Sequence, residues 1–274
     1  MKSKTVQLKA DALGDLAFLQ ITDTHLFADE NKALLGIKTA QSFDAIVEHA
    51  SKYKQCHGIL STGDISQDQS IESYLSFGQH IKKLNLPCFW LPGNHDMQSA
   101  MLPSLLAEGF AQIQVIESDY WQIILLDSQV EGVPHGLLDP NQLGYLQKTL
   151  QKNSNKHTLI CVHHHVLPVG SAWLDQHILK NSDDFLAIIN PFSNVVAVLS
   201  GHVHQDSDRL QDGVRFITTP STCIQFQPNF DEFTLDSVGP GYRYLQLKAN
   251  GQIETVIERL DKNAFPIDID ATGY

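Results

Sequence analysis

Four cysteines in 274 residues, with no Cys-x-x-Cys pair among them, leave nothing from which to build a disulfide framework or a zinc knuckle. Cys56, Cys88, Cys161 and Cys223 lie far apart and read as reduced thiols filling a core. No apolar stretch approaches the ~20 residues needed to cross a bilayer. The opening MKSKTVQLKADALGDL also lacks the apolar run of a secretory signal. A soluble, cytoplasmic protein with no membrane partner is expected. Basic residues are scarce as well: 19 Lys+Arg face 31 Asp+Glu, a formal net charge of −12. That balance excludes the broad basic face of a nucleic-acid binder. Repeats, low-complexity tracts and linkers are absent, so residues 1–274 read as one domain with a core of about 16–260. The acidic tail 261–274 is expected to be loosely held. One residue type is in excess. The 13 histidines are too scattered for a tag, and imidazole both binds metal and transfers protons near neutral pH.

Short apolar runs alternate with helical periodicity. Leu16–Ile21 reads as a buried strand, Thr39–Tyr53 as an amphipathic helix and Gly58–Leu60 as a second strand. A helix from Ile71 to Leu84, closed by Pro87, precedes a third strand at Cys88–Leu91. This βαβαβ opening predicts an α/β fold with helices on the sheet faces. Further strands are predicted at Trp121–Leu126, Thr158–Val162 and Val195–Leu199, with helices at Asn141–Leu150 and Asp183–Ile189. Val214–Thr218 and Tyr242–Leu247 alternate in the strand manner and are expected to pair, with Asp212-Gly213 and Asn250-Gly251 as turns.

Five strand ends run directly into a metal-capable segment: Asp23-x-His25, Gly63-Asp64, Gly93-Asn94-His95-Asp96, His163, and Gly201-His202-x-His204. In layered sheets the strand ends converge on one crevice, so distant segments can share a small volume. Each of these segments taken singly is an ordinary turn or a chance match. Their joint, ordered occurrence after strands is what points to metal. Two carboxylates, an amide oxygen and several imidazoles form a mixed N/O set suited to Mn²⁺, Fe²⁺ or Zn²⁺. Asp64 is placed to bridge two ions, one held by Asp23, His25 and His204, the other by Asn94, His163 and His202. Two such ions can activate a hydroxide and clamp phosphoryl oxygens during an in-line displacement.

The ordered set D-x-H, G-D, G-N-H-[DE], H and G-H-x-H resembles the calcineurin-like metallophosphoesterases and spans Asp23 to His204. Leu19–Leu26, Gly63–Ser70 and the His163-His164-His165 run resemble the class III cyclic nucleotide phosphodiesterases. Ala172–Asp175 and Pro220–Phe226 are similar to segments of the bacterial 3′,5′-cyclic AMP phosphodiesterases, which carries the likeness to about Leu260. The resemblance implies a layered α-β-β-α metallophosphoesterase sandwich with its active site at the strand C-terminal ends. It implies two divalent ions, Fe²⁺ or Mn²⁺ before Zn²⁺ or Co²⁺, and a small-molecule cyclic nucleotide as substrate. In the implied reaction a metal-bridging hydroxide attacks the cyclic phosphodiester, His95 protonates the departing O3′, and 5′-AMP is released. His25, Asp64, Asn94, His95 and His204 are then the residues contacting substrate. A broader phosphodiesterase or phosphomonoesterase would use the same site. The protein-phosphatase pattern G-D-x-V-D-R-G is absent, and a non-catalytic scaffold would have lost ligands that are all present here.

One departure from the superfamily pattern is Gln67, where many members place the aspartate that orients the catalytic histidine. Asp68 is the expected substitute. Strand alternation predicts that one of His164 and His165 faces the site mouth and the other packs away. His49, His57, His80, His157 and His177 read as solvated, and His135 lies in a polar loop. Trp90 and Trp121 read as core. Trp173, in the loop after the histidine run, is the better candidate for contact with a base.

Overall fold

A computed structural model describes residues 4–273. Two sheets are stacked face to face. One runs in the order Ile253–Arg259, Gly241–Leu247, Leu16–Ile21, Gly58–Ser61, Cys88–Trp90. The other runs Thr5–Gln7, Val115–Glu117, Trp121–Leu126, His157–Val162, Val195–Ser200, Val214–Thr218, Ser207–Gln211. In the first, the three strands from Leu16 to Trp90 are parallel. In the second, the four from Trp121 to Thr218 are parallel. Such strands are covered on both faces and therefore read as unbroken apolar runs. Leu16–Ile21 is buried at all six positions. Leu16 and Phe18 face the opposite sheet beside Leu60, Trp121, Leu159 and Leu245. Leu19 and Ile21 face outward against Phe43, Ile46, Tyr74, Phe77 and Met101 of the covering helices. Helices Pro140–Lys152 and Ser182–Ile189 cover the second sheet through Leu146, Leu150, Phe185 and Ile189. The result is the expected α-β-β-α sandwich.

The helices begin where their sequences supply caps. Ser70 accepts the Ser73 N–H at 3.2 Å to open Ile71–Lys82. Asp139 accepts from Asn141 and Gln142 ahead of Pro140, whose missing N–H costs nothing in a first turn. A helix at Gln98–Ala107 has no counterpart in the periodicity reading, because Pro103 interrupts its pattern. Among the described residues no helix is long and apolar enough to cross a membrane.

Two expectations are corrected. Val214–Thr218 and Gly241–Leu247 do not pair. The first lies between Val195–Ser200 and Ser207–Gln211, the second between Leu16–Ile21 and Ile253–Arg259, in opposite sheets. Each predicted turn joins its strand to a local hairpin partner instead, and those partners, Ser-Asp-Arg-Leu-Gln and Ile253–Arg259, carry too much charge to read as core strands. The described part of the tail, 261–273, is packed rather than loose, and Tyr274 lies outside the described residues. The Asp268 N–H donates to Leu35 O at 2.8 Å, and Phe265, Ile267 and Ala271 pack on a cluster containing Leu34, Leu174 and Phe226.

Candidate metal centre

The parallel strands of both sheets end on the same side, and the predicted ligands occupy the first residues after them. The connecting backbone is sharply bent. Asp23, His25, Asp64, His202 and His204 all have φ between +46° and +68°, a region side chains with a Cβ seldom enter and which costs on the order of 1 kcal/mol or more per residue. The loops are zipped together: the Asp23 N–H donates to Gly63 O at 3.0 Å and the His25 N–H to Asp64 O at 3.1 Å. The His202 N–H donates to the Asp23 carboxylate at 3.0 Å, and the His95 N–H to Asp64 Oδ1 at 2.8 Å. Glycine is required at these approaches. A Cβ on Gly201 would strike Thr22 Oγ1 and Asp23 Oδ2, and one on Gly93 would strike the Asp64 carboxylate.

Electron-pair donors converge with few protons among them. His204 Nδ1 donates to Ile224 O at 2.9 Å, and His25 Nδ1 faces Gln67 Oε1 at 2.7 Å. Their Nε2 atoms then meet at 3.2 Å, with His204 Nε2 also 3.4 Å from Asp23 Oδ1. His163 Nδ1 donates to Thr62 O at 2.7 Å, and its Nε2 lies 3.1 Å from Asn94 Oδ1 and 3.3 Å from Asp64 Oδ2. Asp64 Oδ2 is also 3.9 Å from His25 Nε2, so this carboxylate stands between two clusters. Such tethering through Nδ1, with Nε2 left facing inward, is how proteins orient metal-binding imidazoles. Facing lone pairs repel unless a cation lies between them, and the donor set therefore fits divalent ions. Potential ligand atoms of Asp23, His25 and His204 fall within 4.8 Å of one another, as do those of Asp23, Asp64 and His163. His202 groups with His163 and His164, and its buried Nε2 has no partner among the described residues.

Burial, with His95 and His204 nearby, holds His25 down to about 3, so its ring stays neutral. Burial opposes charge on Asp64, but His163 and His95 hold its carboxyl well below the usual range. Burial likewise opposes a proton on His163, yet Asp64 overrides it and lifts the ring to about 9. A cation bound beside Asp64 would take the place of that proton.

The family model for calcineurin-like phosphoesterases matches residues 16–206, the segment that carries every one of these candidate ligands. The chain belongs to the calcineurin-like phosphoesterase family. Among curated members, it is 49% identical over 263 residues to a Vibrio vulnificus protein named 3′,5′-cyclic adenosine monophosphate phosphodiesterase CpdA, covering 94% of this chain and 95% of that one. The Escherichia coli K12 protein of the same name is 45% identical, covering 93% of this chain and 94% of its own. Among solved structures, a dimetal phosphatase from Danio rerio matches with a TM-score of 0.61 at 15% identity, over 89% of this chain and 98% of that one. A purple acid phosphatase from yellow lupin matches at 0.57 and 12% identity, over 94% of this chain and 55% of its own. At such identities these two structures speak for the fold alone.

In front of the phosphoesterase centre lies an open cavity of about 540 Å³, with Asn94, His95 and His202 in its lining. Of the five residues expected to touch substrate, Asn94 and His95 line it, while His25, Asp64 and His204 are buried. The His95 ring stands edge-on to His25 at 4.9 Å between centroids.

Other expectations change. The Asp68 carboxylate is engaged by the N–H groups of Ala28 and Ser70 and by the Ser70 and Ser66 hydroxyls, so it stabilises its own loop. The residue at the departing position, Gln67, holds His25. His164 and His165 are both buried, because the strand ends at Val162 and alternation no longer applies. His164 Nδ1 meets Ser128 Oγ at 2.8 Å, and His165 Nε2 meets Asp175 Oδ1 at 3.3 Å. The histidines read as solvated are half-buried and engaged: His49 with the Tyr242 hydroxyl, His57 with the Ala17 N–H, His80 with Ser76 O, His157 against Trp121, and His177 in the cavity wall. Asp96, given no role by the motif reading, accepts the N–H groups of Gly93 at 2.9 Å, Ser66 at 3.0 Å and Ile65 at 3.1 Å. It thereby clamps the Asp64 loop to the Asn94–His95 loop. Burial and the Asp64 charge push its carboxyl up to about 7 against those three donors.

Proposed function

We propose that this chain is a metal-dependent phosphodiesterase that hydrolyses 3′,5′-cyclic AMP to 5′-AMP. The observation that carries the reading is coverage: relatives named for that reaction match 93–94% of the chain at 45–49% identity, and the match embraces the whole ligand set. We assign one ion to Asp23, His25, Asp64 and His204, and a second to Asp64, Asn94, His163 and His202. Fe²⁺ or Mn²⁺ suits this N/O set, with Zn²⁺ and Co²⁺ as the alternatives a metal analysis would reveal. Bound there, two divalent ions would supply a reactive water at neutral pH and neutralise charge on the phosphoryl group.

The protein's own groups do the rest. The buried carboxylate and imidazole cluster forms the floor on which the cyclic phosphate sits, and the cavity above leaves room for the nucleoside. His95 lines that cavity while its N–H is fixed to Asp64 Oδ1. It is therefore placed to give its ring proton to O3′ as the P–O3′ bond breaks. The Asn94 amide turns Oδ1 toward His163 and offers Nδ2–H to a phosphoryl oxygen. Four free, buried thiols suit a reducing compartment, and we place the reaction in the cytoplasm. The test is a substrate panel: kcat/KM for 3′,5′-cyclic AMP should exceed that for 2′,3′-cyclic AMP and for bis-p-nitrophenyl phosphate. Turnover of the latter two without the first would assign a broader phosphodiesterase to the same site.

A further inference from the structure

The cavity is lined by two kinds of side chain. Asn94, His95, His202, His177 and Gln69 are polar, whereas Trp173, Leu174, Phe233, Val133 and Pro134 are apolar. Trp173 and Phe233 are partly exposed there, although both are large aromatics. Their rings meet at 5.1 Å and 65°, and Trp173 stands edge-on to Phe226 at 4.8 Å. Phe226 in turn lies flat on the His204 imidazole, 4.4 Å away at 16°. The wall is thus anchored to a predicted ligand. Its two halves are tied by backbone, since the Trp173 N–H donates to Asp231 O at 3.1 Å. A fixed aromatic surface within one cavity of a phosphate-binding floor matches a nucleotide, whose flat, neutral base lies across the sugar from its charged phosphate.

We propose that Trp173 and Phe233 form the base subsite, on which the purine stacks while the cyclic phosphate rests beside His95. The proposal rests on the cyclic nucleotide reading above and adds the residues that recognise the base. Stacking of a base on an aromatic side chain is worth about 5- to 150-fold in affinity, so these side chains should act mainly through KM.

The test compares cyclic AMP with a methyl riboside 3′,5′-cyclic phosphate, which has the same reacting ring and no base. Trp173→Leu should lower kcat/KM for cyclic AMP by about 5- to 150-fold, chiefly in KM. It should leave the base-free diester within about twofold and metal content unchanged. Trp173→Phe should recover most of the loss, and Phe233→Leu should repeat the effect should Trp173→Leu fail to fold. Equal losses on both substrates, or no loss on cyclic AMP, would overturn the subsite. A wild-type protein that cleaves the base-free diester but not cyclic AMP would instead overturn the cyclic nucleotide reading itself.

Discussion

At the scale of single residues, the histidines of the site divide by what their rings touch. His25, His163 and His204 each have Nδ1 tethered and Nε2 facing another electron-pair donor, an arrangement for holding ions. His95 borders the cavity, an arrangement for moving a proton. His95→Ala should therefore retain two ions per chain and lose about 10²- to 10⁴-fold in kcat; full activity in that variant would remove His95 from the reaction. Asp96 acts at one remove. Asp96→Ala leaves three buried N–H groups unanswered and frees the Asn94 loop, so metal affinity should fall by about 10- to 100-fold, measured by titration of the metal-free protein. The ligands proposed here were legible in the sequence because Asp, Asn and His carry their chemistry in the side chain and sit in short glycine-marked turns. Gln67 and Asp96 were not, because what they do depends on where a loop from another strand lies. No local pattern encodes that Asp96 sits beneath the Ile65 and Ser66 N–H groups.

At the scale of elements, the buried parallel strands declared themselves through unbroken apolar runs such as Leu16–Ile21 and Trp121–Leu126. Pairing was less visible. Asp212-Gly213 and Asn250-Gly251 marked turns correctly, but alternation in Val214–Thr218 and Gly241–Leu247 says only that each is a strand, and says nothing of which sheet receives it. Polar side chains bind the sheet edge where apolar ones are sparse. Glu117 accepts from Gln7 Nε2 at 3.0 Å, Asn153 Nδ2 at 3.1 Å and Lys156 Nζ at 3.1 Å, joining the outer Thr5–Gln7 strand to the helix Pro140–Lys152 and the loop beyond it. Burial works against its charge, and these donors prevail, so its carboxyl is held below the ordinary value of 4.5. A carboxylate depressed in the folded state stabilises the protein above its unfolded-state value and loses that contribution as pH falls through the lower one. Glu117→Gln should thus cost on the order of 1–2 kcal/mol at pH 7 and almost nothing in acid. Thermal melts at pH 7 and below pH 3 check this, and an equal cost at both would contradict it.

At the scale of the whole molecule, the two sheets must hold a fixed separation, since Asp23 and Asp64 come from one and His163, His202 and His204 from the other. A buried polar chain spans the gap beneath the site. Gln20 Nε2 donates to Thr62 Oγ1 and Ser200 O, Gln20 Oε1 accepts from Thr219, and Arg243 joins Thr219 to Asp206. The C-terminal segment adds a second brace by docking Phe265, Ile267 and Ala271 beside Leu34 and Phe226. Its acidic composition concealed these three apolar anchors. Truncation after Leu260 should cost about 2–3 kcal/mol of stability, seen as a lower denaturant midpoint; an unchanged midpoint would mean the segment does not brace the fold. The net charge of −12 describes the surface, whereas two divalent ions would bring four positive charges to a pocket with only two ligand carboxylates, Asp23 and Asp64. Such an inversion would let an acidic protein take an anionic substrate. The decisive measurement is hydrolysis of cyclic AMP in ¹⁸O-water, with the product identified by mass spectrometry before and after chelation and reloading with Mn²⁺ or Fe²⁺. The expected product is 5′-AMP carrying one solvent oxygen on its phosphate, formed only when metal is restored. Release of 3′-AMP, or no hydrolysis by the folded protein with two ions bound, would contradict this reading.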